Sequence, residues 1–318
     1  MTMDEHKVET QDRLTAMLSS ALGSEVEALL RDATVSEVRV NEDGKVWVMR
    51  LGEGKALAGV TIPPDRVLAA IYTVAYSIDA VCDTEHPCIS AELPGSGARF
   101  QAVHPPIVRN PILAIRKKAV RIFTLRDLEA QGVISADQRG IIEATARTRG
   151  NILVVGGTDS GKTTFTNAIL DSISSTKDRI IIMEDTQELQ CSAEDVVYLR
   201  TKEGVASLRD LVRATMRLSP DRIVIGEVRG GEALELLKAW NTGHGGGVST
   251  VHASSAAKGL SRIEQLALEG GASSCRQLIS EAINLVIYME KVGTKRVVKE
   301  IASLHGFSGD QYDIRAVT

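Results

Sequence analysis

Residues 152–163, ILVVGGTDSGKT, decide the fold of the carboxyl-terminal part of this 318-residue chain. An apolar run ends in G-x-x-x-x-G-K-T, and the helix-like stretch FTNAILDSI follows it. Strand, glycine-rich loop and helix in this order are typical of a phosphate-binding loop, because the glycines let backbone N–H groups turn inward and the helix N-terminus adds partial positive charge. The pattern predicts a nucleotide-binding α/β domain.

The loop residues have separate predicted roles. Lys162 neutralises the β- and γ-phosphates of ATP, and the Thr163 hydroxyl binds Mg²⁺. We expect Asp159 to point to solvent and to weaken nucleotide affinity only modestly. The predicted cofactor contacts are Gly156, Gly157, Thr158, Asp159, Ser160, Gly161, Lys162, Thr163 and Thr164.

Carboxylates end two further apolar runs. MEDTQEL presents Glu184, Asp185 and Glu188, and RIVIGEV ends in Glu227 followed by Arg229. The carboxyl ends of parallel strands are where such sheets bind ligands. We therefore predict that Glu184 and Glu227 hold Mg²⁺, directly or through water, and that one of them orients the attacking water. The residues leave open which carboxylate is the general base.

The segment TGHGGGVSTVHASS places two histidines among glycines. Their spacing suits no common zinc motif. His244 and His252 are predicted to lie at the nucleotide and to sense the γ-phosphate through hydrogen bonds. A purely structural histidine is the alternative.

Two domains and a linker are expected from the order of patterns along the chain. Residues 1–120 mix helical spacing, a hairpin signal at Asp43-Gly44 and short strands, which predicts a small α+β domain. Residues 121–136 are interpreted as a linker. Ser135 with Gln138 predicts a capping-box helix start. Strands and helices then alternate, so residues 137–318 should form a mostly parallel α/β sheet domain.

Composition limits the function classes. Aromatic residues make up 3% of the chain and the formal net charge is -4. The low aromatic content argues against a base-stacking platform, and the negative net charge argues against a global positive field, so no stable nucleic-acid binding is expected. No apolar run approaches the roughly 20 residues that span a bilayer, the start carries no signal-peptide core, and the four cysteines are scattered. The sequence predicts a cytoplasmic protein.

Four motifs in order carry a family resemblance: GGTDSGKTT, IIIMEDTQELQ, LSPDRIVIGEVRGGEA and TGHGGGVSTVHASS. They closely resemble the Walker A motif, Asp box, Walker B motif and His box of the type II/IV secretion ATPase superfamily, and most of all those of TrbB-type conjugal transfer ATPases. The resemblance covers about residues 90 to 290. It implies a RecA-like P-loop NTPase domain behind a smaller α+β, PAS-like amino-terminal domain.

The resemblance also implies an assembly and its partners. Members are typically cytoplasmic homo-hexameric rings, peripheral at the inner membrane, that power pilus assembly or substrate transfer. For this chain the resemblance implies ATP hydrolysis that powers conjugative type IV secretion, with inner-membrane secretion-channel proteins as partners. Family members use amino-terminal-domain arginines to reach the nucleotide, and the matching segments make Arg99 and Arg116 the candidates. A solvated basic face around Arg116 is the alternative. Asp159 departs from the family, which usually has glycine there.

Three other functions share these motifs. Pilus extension and retraction motors of the same superfamily use the same chemistry, and gene neighbourhood would separate them. A RecA-like DNA-stimulated ATPase is disfavoured by the charge and the low aromatic content. A non-enzymatic nucleotide switch is suggested by Asp159.

Overall fold

Two compact units, Met1–Val120 and Arg121–Thr318, make up the chain in this computed structural model, and we call them unit 1 and unit 2. The structure describes residues 3–93, 95–118, 122–202, 204–309 and 311–317, with the backbone alone for residues 3–11. Residues 119–121, where the domain boundary was predicted, lie outside the described residues. In the described residues, none of the helices is both long and apolar enough to cross a membrane.

Unit 1 is an antiparallel sheet with helices. The helices are α1 (Met3–Leu22), α2 (Ser24–Arg31) and α3 (Pro64–Ser77), and the strands are β1 (Val35–Val40), β2 (Lys45–Arg50), β3 (Gly54–Thr61), β4 (Cys88–Glu92), β5 (Arg99–Val103) and β6 (Ile112–Arg116). Six strands among the described residues pair antiparallel in the order β3-β2-β1-β6-β5-β4. The unit therefore mixes helices with an antiparallel sheet.

The hairpin between β1 and β2 forms where Asp43-Gly44 predicts it. Gly44 has φ of +73°, and a Cβ there would lie 2.5 Å from the Ile62 carbonyl oxygen, so glycine is required. Val38 and Val48 are register partners with fully buried side chains. Alternation of apolar residues thus builds the core face of this sheet.

Unit 2 is built on a larger sheet. Its helices are α4 (Leu125–Ala130), α5 (Ala136–Arg147), α6 (Lys162–Ile173), α7 (Leu208–Thr215), α8 (Glu232–Asn241), α9 (Ala256–Glu269) and α10 (Arg276–Ala282). Its strands are β7 (Ile152–Gly156), β8 (Ile180–Glu184), β9 (Val196–Arg200), β10 (Arg222–Ile225), β11 (Val248–Val251), β12 (Leu285–Val292), β13 (Lys295–Ser308) and β14 (Gln311–Ala316). In the described residues the strand order is β14-β13-β12-β7-β11-β10-β8-β9.

This sheet is mixed. The strands from β12 across to β9 run parallel, whereas β13 and β14 are added antiparallel through hairpins. Gly293, with φ of +62°, lies in the two-residue turn between β12 and β13. The expectation of a mostly parallel sheet therefore holds for its centre and not for its carboxyl-terminal edge.

Segment 121–136, interpreted as a linker, contains a helix that belongs to the core of unit 2. Thr124 and Asp127 form a capping box at the start of α4, and Leu125 and Leu128 are buried in the same apolar cluster as Ile152. Buried leucines anchor the segment to unit 2, so the described part of it is not a free connection. The predicted capping box at Ser135 and Gln138 is confirmed.

Helices cover both faces of the larger sheet. Ile152 and Val154 of β7 belong to one apolar cluster, which α4, α5 and α6 complete, and Leu153 and Val155 belong to the other, which α7 to α10 complete. A strand buried on both faces is continuously apolar, as β7 is. The covered faces leave the strand ends as the place where polar side chains can gather.

Candidate functional site

The loop between β7 and α6 is shaped by close packing at its glycines. A Cβ on Gly156 would lie 2.4 Å from Ser160 Oγ and 2.7 Å from the Met289 carbonyl oxygen, so only glycine fits. Gly161, with φ of +95°, is the N-cap of α6 and supplies no side-chain cap, unlike Ser207 at α7. The N-cap residue therefore supplies no side-chain acceptor to the first N–H groups of α6.

Lys162 is held at the centre of the loop. Its side chain is only 8% exposed. The ammonium donates to the carbonyl oxygens of Gly156 at 2.9 Å and Gly157 at 3.0 Å, and it lies 3.3 Å from His252 Nδ1. The loop thus curls around one positive charge.

Of the two neighbouring carboxylates, Glu188 lies beside Thr163. Thr163 Oγ1 donates to Glu188 Oε2 at 3.3 Å. Glu184 is buried, and its carboxylate accepts the N–H groups of Glu188 at 3.0 Å and Leu189 at 3.1 Å. The prediction chose Glu184 for the metal. In the structure Glu184 shapes the loop that carries Glu188, and Glu188 is the carboxylate in contact with the Thr163 hydroxyl.

Glu227 lies between the Arg229 guanidinium and the His252 imidazole. Its Oε2 accepts from Arg229 Nη2 at 2.6 Å, and its Oε1 is 2.7 Å from His252 Nε2. That second contact lacks hydrogen-bond geometry, so Oε1 is buried without a hydrogen bond from the described residues. Arg229 also lies 3.7 Å from Asp185, which accepts from Thr201. The Glu227 carboxylate is therefore oriented but not saturated.

His252 connects Lys162 to Glu227. Because an ammonium can only donate, Nδ1 accepts from Lys162, and the imidazole proton is assigned to Nε2, on the side of Glu227. Burial and the Lys162 charge lower the pKa of His252, and the Glu227 charge opposes that shift. The neutral imidazole is therefore the form present near pH 7.

His244 does not join this cluster. It precedes β11, whereas Gly156, Glu227 and His252 follow the carboxyl ends of their strands. β11 runs parallel to β7, so His244 and the loop lie at opposite edges of the sheet, and His244 Nδ1 contacts the Pro220 carbonyl oxygen at 2.9 Å. The prediction of nucleotide contact for His244 is corrected on this ground, because the strand length separates the two histidines.

Arg99 and Arg116 are register partners on β5 and β6 of unit 1. Arg116 is exposed and Arg99 is half-buried. Their approach to a nucleotide stays a prediction.

Asp159 is ion-paired, which differs from the expectation that it simply points to solvent. Its carboxylate, 40% exposed, pairs with Lys291 and with Arg296. These cations lie on β12 and β13, more than 130 residues along the chain, and sequence reasoning missed them. A motif search reads local sequence, so long-range hairpin partners escape it.

The residues of this edge fit Mg-ATP. Gly156 forms a cradle that any Cβ would fill, Lys162 brings a buried positive charge, and Ser160 Oγ is buried with no hydrogen bond to the described residues. Within the same described ranges, no group of three or more His, Cys, Asp or Glu side chains could hold a metal ion by itself. Thr163 and Glu188 suit Mg²⁺, which keeps several waters and takes few protein ligands.

Fold and site define an α/β protein with a glycine-rich loop between β7 and α6, at the carboxyl edge of its larger sheet. A family model described as "Type II/IV secretion system protein" matches residues 23–301. The chain belongs to that family, as the motif resemblance implied.

Similar proteins include two conjugal transfer proteins. The chain is 42% identical to the "Probable conjugal transfer protein TrbB" of Sinorhizobium fredii, over 98% of this chain and 95% of that protein. It is also 42% identical to the conjugal transfer protein TrbB of Rhizobium radiobacter, over 96% and 95%. The crystal structure of the VirB11 ATPase from the Brucella suis type IV secretion system, in complex with sulphate, is similar with 25% identity, 93% and 96% coverage and a TM-score of 0.50.

Proposed function

We propose that this protein is an Mg-ATP-hydrolysing motor of conjugative type IV secretion. The observation that carries the proposal is the contact chain at the loop, where Lys162 touches His252 and His252 touches Glu227. Residues from three different strand ends thus meet at one phosphate-binding loop. The two TrbB relatives are conjugal transfer proteins, which supports conjugation as the process that this chain serves.

The binding step uses the loop. Lys162 exchanges its bonds with the loop carbonyls for bonds with the β- and γ-phosphates, while the N–H groups at the N-terminus of α6 donate hydrogen bonds to the phosphate oxygens. Mg²⁺, when bound, supplies positive charge that neutralises the phosphate oxygens. Thr163 and Glu188, which contact each other, would hold the ion.

The hydrolytic step uses Glu227. Its Oε1, which lacks a hydrogen bond from the described residues, accepts one from the attacking water and orients it towards the γ-phosphate. Arg229 fixes the other carboxylate oxygen. His252 touches both Lys162 and Glu227, so it is placed to report whether the γ-phosphate has engaged Lys162.

We further propose a RecA-like arrangement for unit 2, a PAS-like unit 1 that contributes Arg99 and Arg116 to the nucleotide, and a cytoplasmic homo-hexamer docked on inner-membrane secretion-channel proteins. The support is the order of the four motifs in a chain of this family. Neighbouring subunits would complete the ATP site. Turnover should then depend on protein concentration.

The test is phosphate release by the full chain, measured across protein concentrations. We expect Mg-dependent turnover whose specific activity rises as the chain assembles, and we expect the Lys162→Ala variant to lose both turnover and complementation of conjugal transfer. Wild-type phosphate release and transfer by that variant would refute the motor. Strong stimulation by single-stranded DNA would instead favour a DNA-dependent ATPase.

A further inference from the structure

Asp159 places a negative charge inside the loop that we assign to phosphates. The residue has φ of +60°, in the left-handed region that Asp tolerates better than most residues. Its carboxylate stands three residues before Lys162 in the turn itself. Without compensation, such a charge would repel the triphosphate.

Two cations from the β12–β13 hairpin compensate it. Lys291 Nζ pairs with Asp159 Oδ2, and Arg296 Nη2 pairs with Oδ1. Arg296 Nε also donates to the Asp159 backbone oxygen at 3.2 Å. Both oxygens of the carboxylate and the main chain of the loop are therefore tied to one hairpin.

Arg296 also packs against the loop. A Cβ on Gly161 would lie 3.0 Å from Arg296 Cδ, so the aliphatic part of this side chain packs closely against the loop at Gly161. Burial alone would raise the pKa of Asp159, but the bonds from Lys291 and Arg296 outweigh it and lower that pKa. Asp159 stays ionised near pH 7, and the ion pairs persist.

We propose that Lys291 and Arg296 are positioning residues for nucleotide binding: they neutralise Asp159 and hold its carboxylate away from the phosphates, so that the loop accepts a triphosphate despite its own negative charge. The inference rests on the proposed function, since it takes Mg-ATP as the ligand.

A double-mutant cycle tests the inference, with Mg-ATP affinity measured by calorimetry on the full chain. The Lys291→Gln/Arg296→Gln double variant leaves Asp159 unpaired and should raise Kd by about tenfold or more, because unit charges near a protein surface interact at this level. Asp159→Asn alone should bind within about threefold of wild type. Adding Asp159→Asn to the double variant should restore the affinity.

The restoration separates positioning from other roles. If Lys291 and Arg296 bound the phosphates directly or only stabilised the hairpin, the triple variant would bind as weakly as the double variant, and the inference would be overturned. Wild-type affinity in the double variant would also overturn it. Lys299→Gln is the matched control, because Lys299 lies on the same hairpin, pairs with Glu290 at 3.8 Å and should leave Kd unchanged.

The outcomes also separate this inference from the function beneath it. If the folded wild-type chain takes up no Mg-ATP, the proposed function fails and the inference fails with it. If wild type binds Mg-ATP and the triple variant shows no recovery, only the inference fails. Equal melting temperatures across the set show that the hairpin has not unfolded.

Discussion

The two edges of the sheet in unit 2 use charge in opposite ways. At the amino edge, Arg222 is 1% exposed and donates to Asp178 at 2.6 Å and to the Ala146 and Gly246 carbonyl oxygens at 2.7 Å and 3.1 Å. At the carboxyl edge, Lys162 holds loop carbonyls that a phosphate can replace, and Glu227 keeps one oxygen without a hydrogen bond from the described residues.

The difference follows from what each edge must do. A buried arginine costs free energy unless its N–H donors are hydrogen-bonded, so the arginine at the amino edge is paired with fixed protein acceptors. The Asn151 side chain is also paired with fixed partners: its Nδ2 donates to the Ala282 carbonyl oxygen at 2.6 Å, and its Oδ1 accepts from the Gly247 N–H at 3.0 Å. The carboxyl edge keeps exchangeable contacts because a ligand must enter there. One edge stabilises the sheet and the other prepares a site.

The largest expected effect is on stability at the amino edge. Arg222→Met leaves Asp178 with the half-exposed Arg149 as its cationic partner and removes the donor to the Ala146 and Gly246 carbonyl oxygens, so we expect the free energy of unfolding to fall by about 3 kcal/mol or more. Denaturant midpoints measure it. The control Arg315→Met removes an exposed pair with Asp313 and should cost less than about 1 kcal/mol. Equal losses of unfolding free energy in the two variants would contradict the claim that the amino edge stabilises the sheet through its buried arginine.

The next effect is on turnover at the carboxyl edge. Lys162→Ala removes the charge around which the loop curls, and phosphate release should fall about 100-fold or more, as when an electrostatic donor to a transition state is lost. Thermal stability should change little, because the ammonium contacts loop carbonyl oxygens and His252, which are the groups that a phosphate would replace. Turnover within about threefold of wild type would contradict the assignment of this edge.

The two histidines provide a matched pair across the sheet. His252→Ala breaks the link between Lys162 and Glu227, and we expect turnover to fall about 10- to 100-fold, the range for losing a hydrogen bond to a charged group. His244→Ala removes the contact with the Pro220 carbonyl oxygen, at the edge of the sheet opposite the loop, and should leave turnover within about threefold of wild type. Steady-state phosphate release measures both. A larger loss of turnover in His244→Ala than in His252→Ala would contradict the placement of the site at the carboxyl edge.

The smallest expected effect is a pH dependence of stability. The pKa of His252 is lowered in the fold, so below its unfolded value near 6.5 the unfolded chain takes up the proton first. Stability that is present above pH 6.5 is therefore lost as the pH falls towards the folded pKa. Denaturant midpoints at pH 7.5 and 5.5 should show this loss in wild type and less of it in His252→Gln. An identical pH dependence in the two chains would argue against it.

Sequence patterns predicted the parts of the site that are local. The loop, its lysine and the strands before Glu227 and His252 follow from glycine placement and apolar runs, and the structure brings these residues together. His244 was misplaced because eight residues of one motif cross the sheet from edge to edge. Glu184 and Glu188 follow the same apolar run, and the sequence does not show that Glu184 accepts hydrogen bonds from the backbone N–H groups of Glu188 and Leu189. The metal role of Glu184 stays a prediction.

Long-range partners and the carboxyl-terminal hairpins were not predicted. Nothing near Asp159 in the sequence indicates Lys291 or Arg296, since strand pairing alone brings them to the loop. The helix at Leu125–Ala130 was missed because six residues between two polar turns look like a connection, although its leucines are buried. Tertiary burial decides such short segments, and a single sequence does not display it.

Hydrogen exchange of the full chain, with and without Mg-ATP, tests the central claim most directly because it reads both edges in one experiment. The account predicts slower amide exchange on nucleotide addition at residues 156–164 and 184–189, with little change at residues 242–247. Unchanged exchange at residues 156–164 under saturating Mg-ATP, or protection centred on residues 242–247, would contradict it.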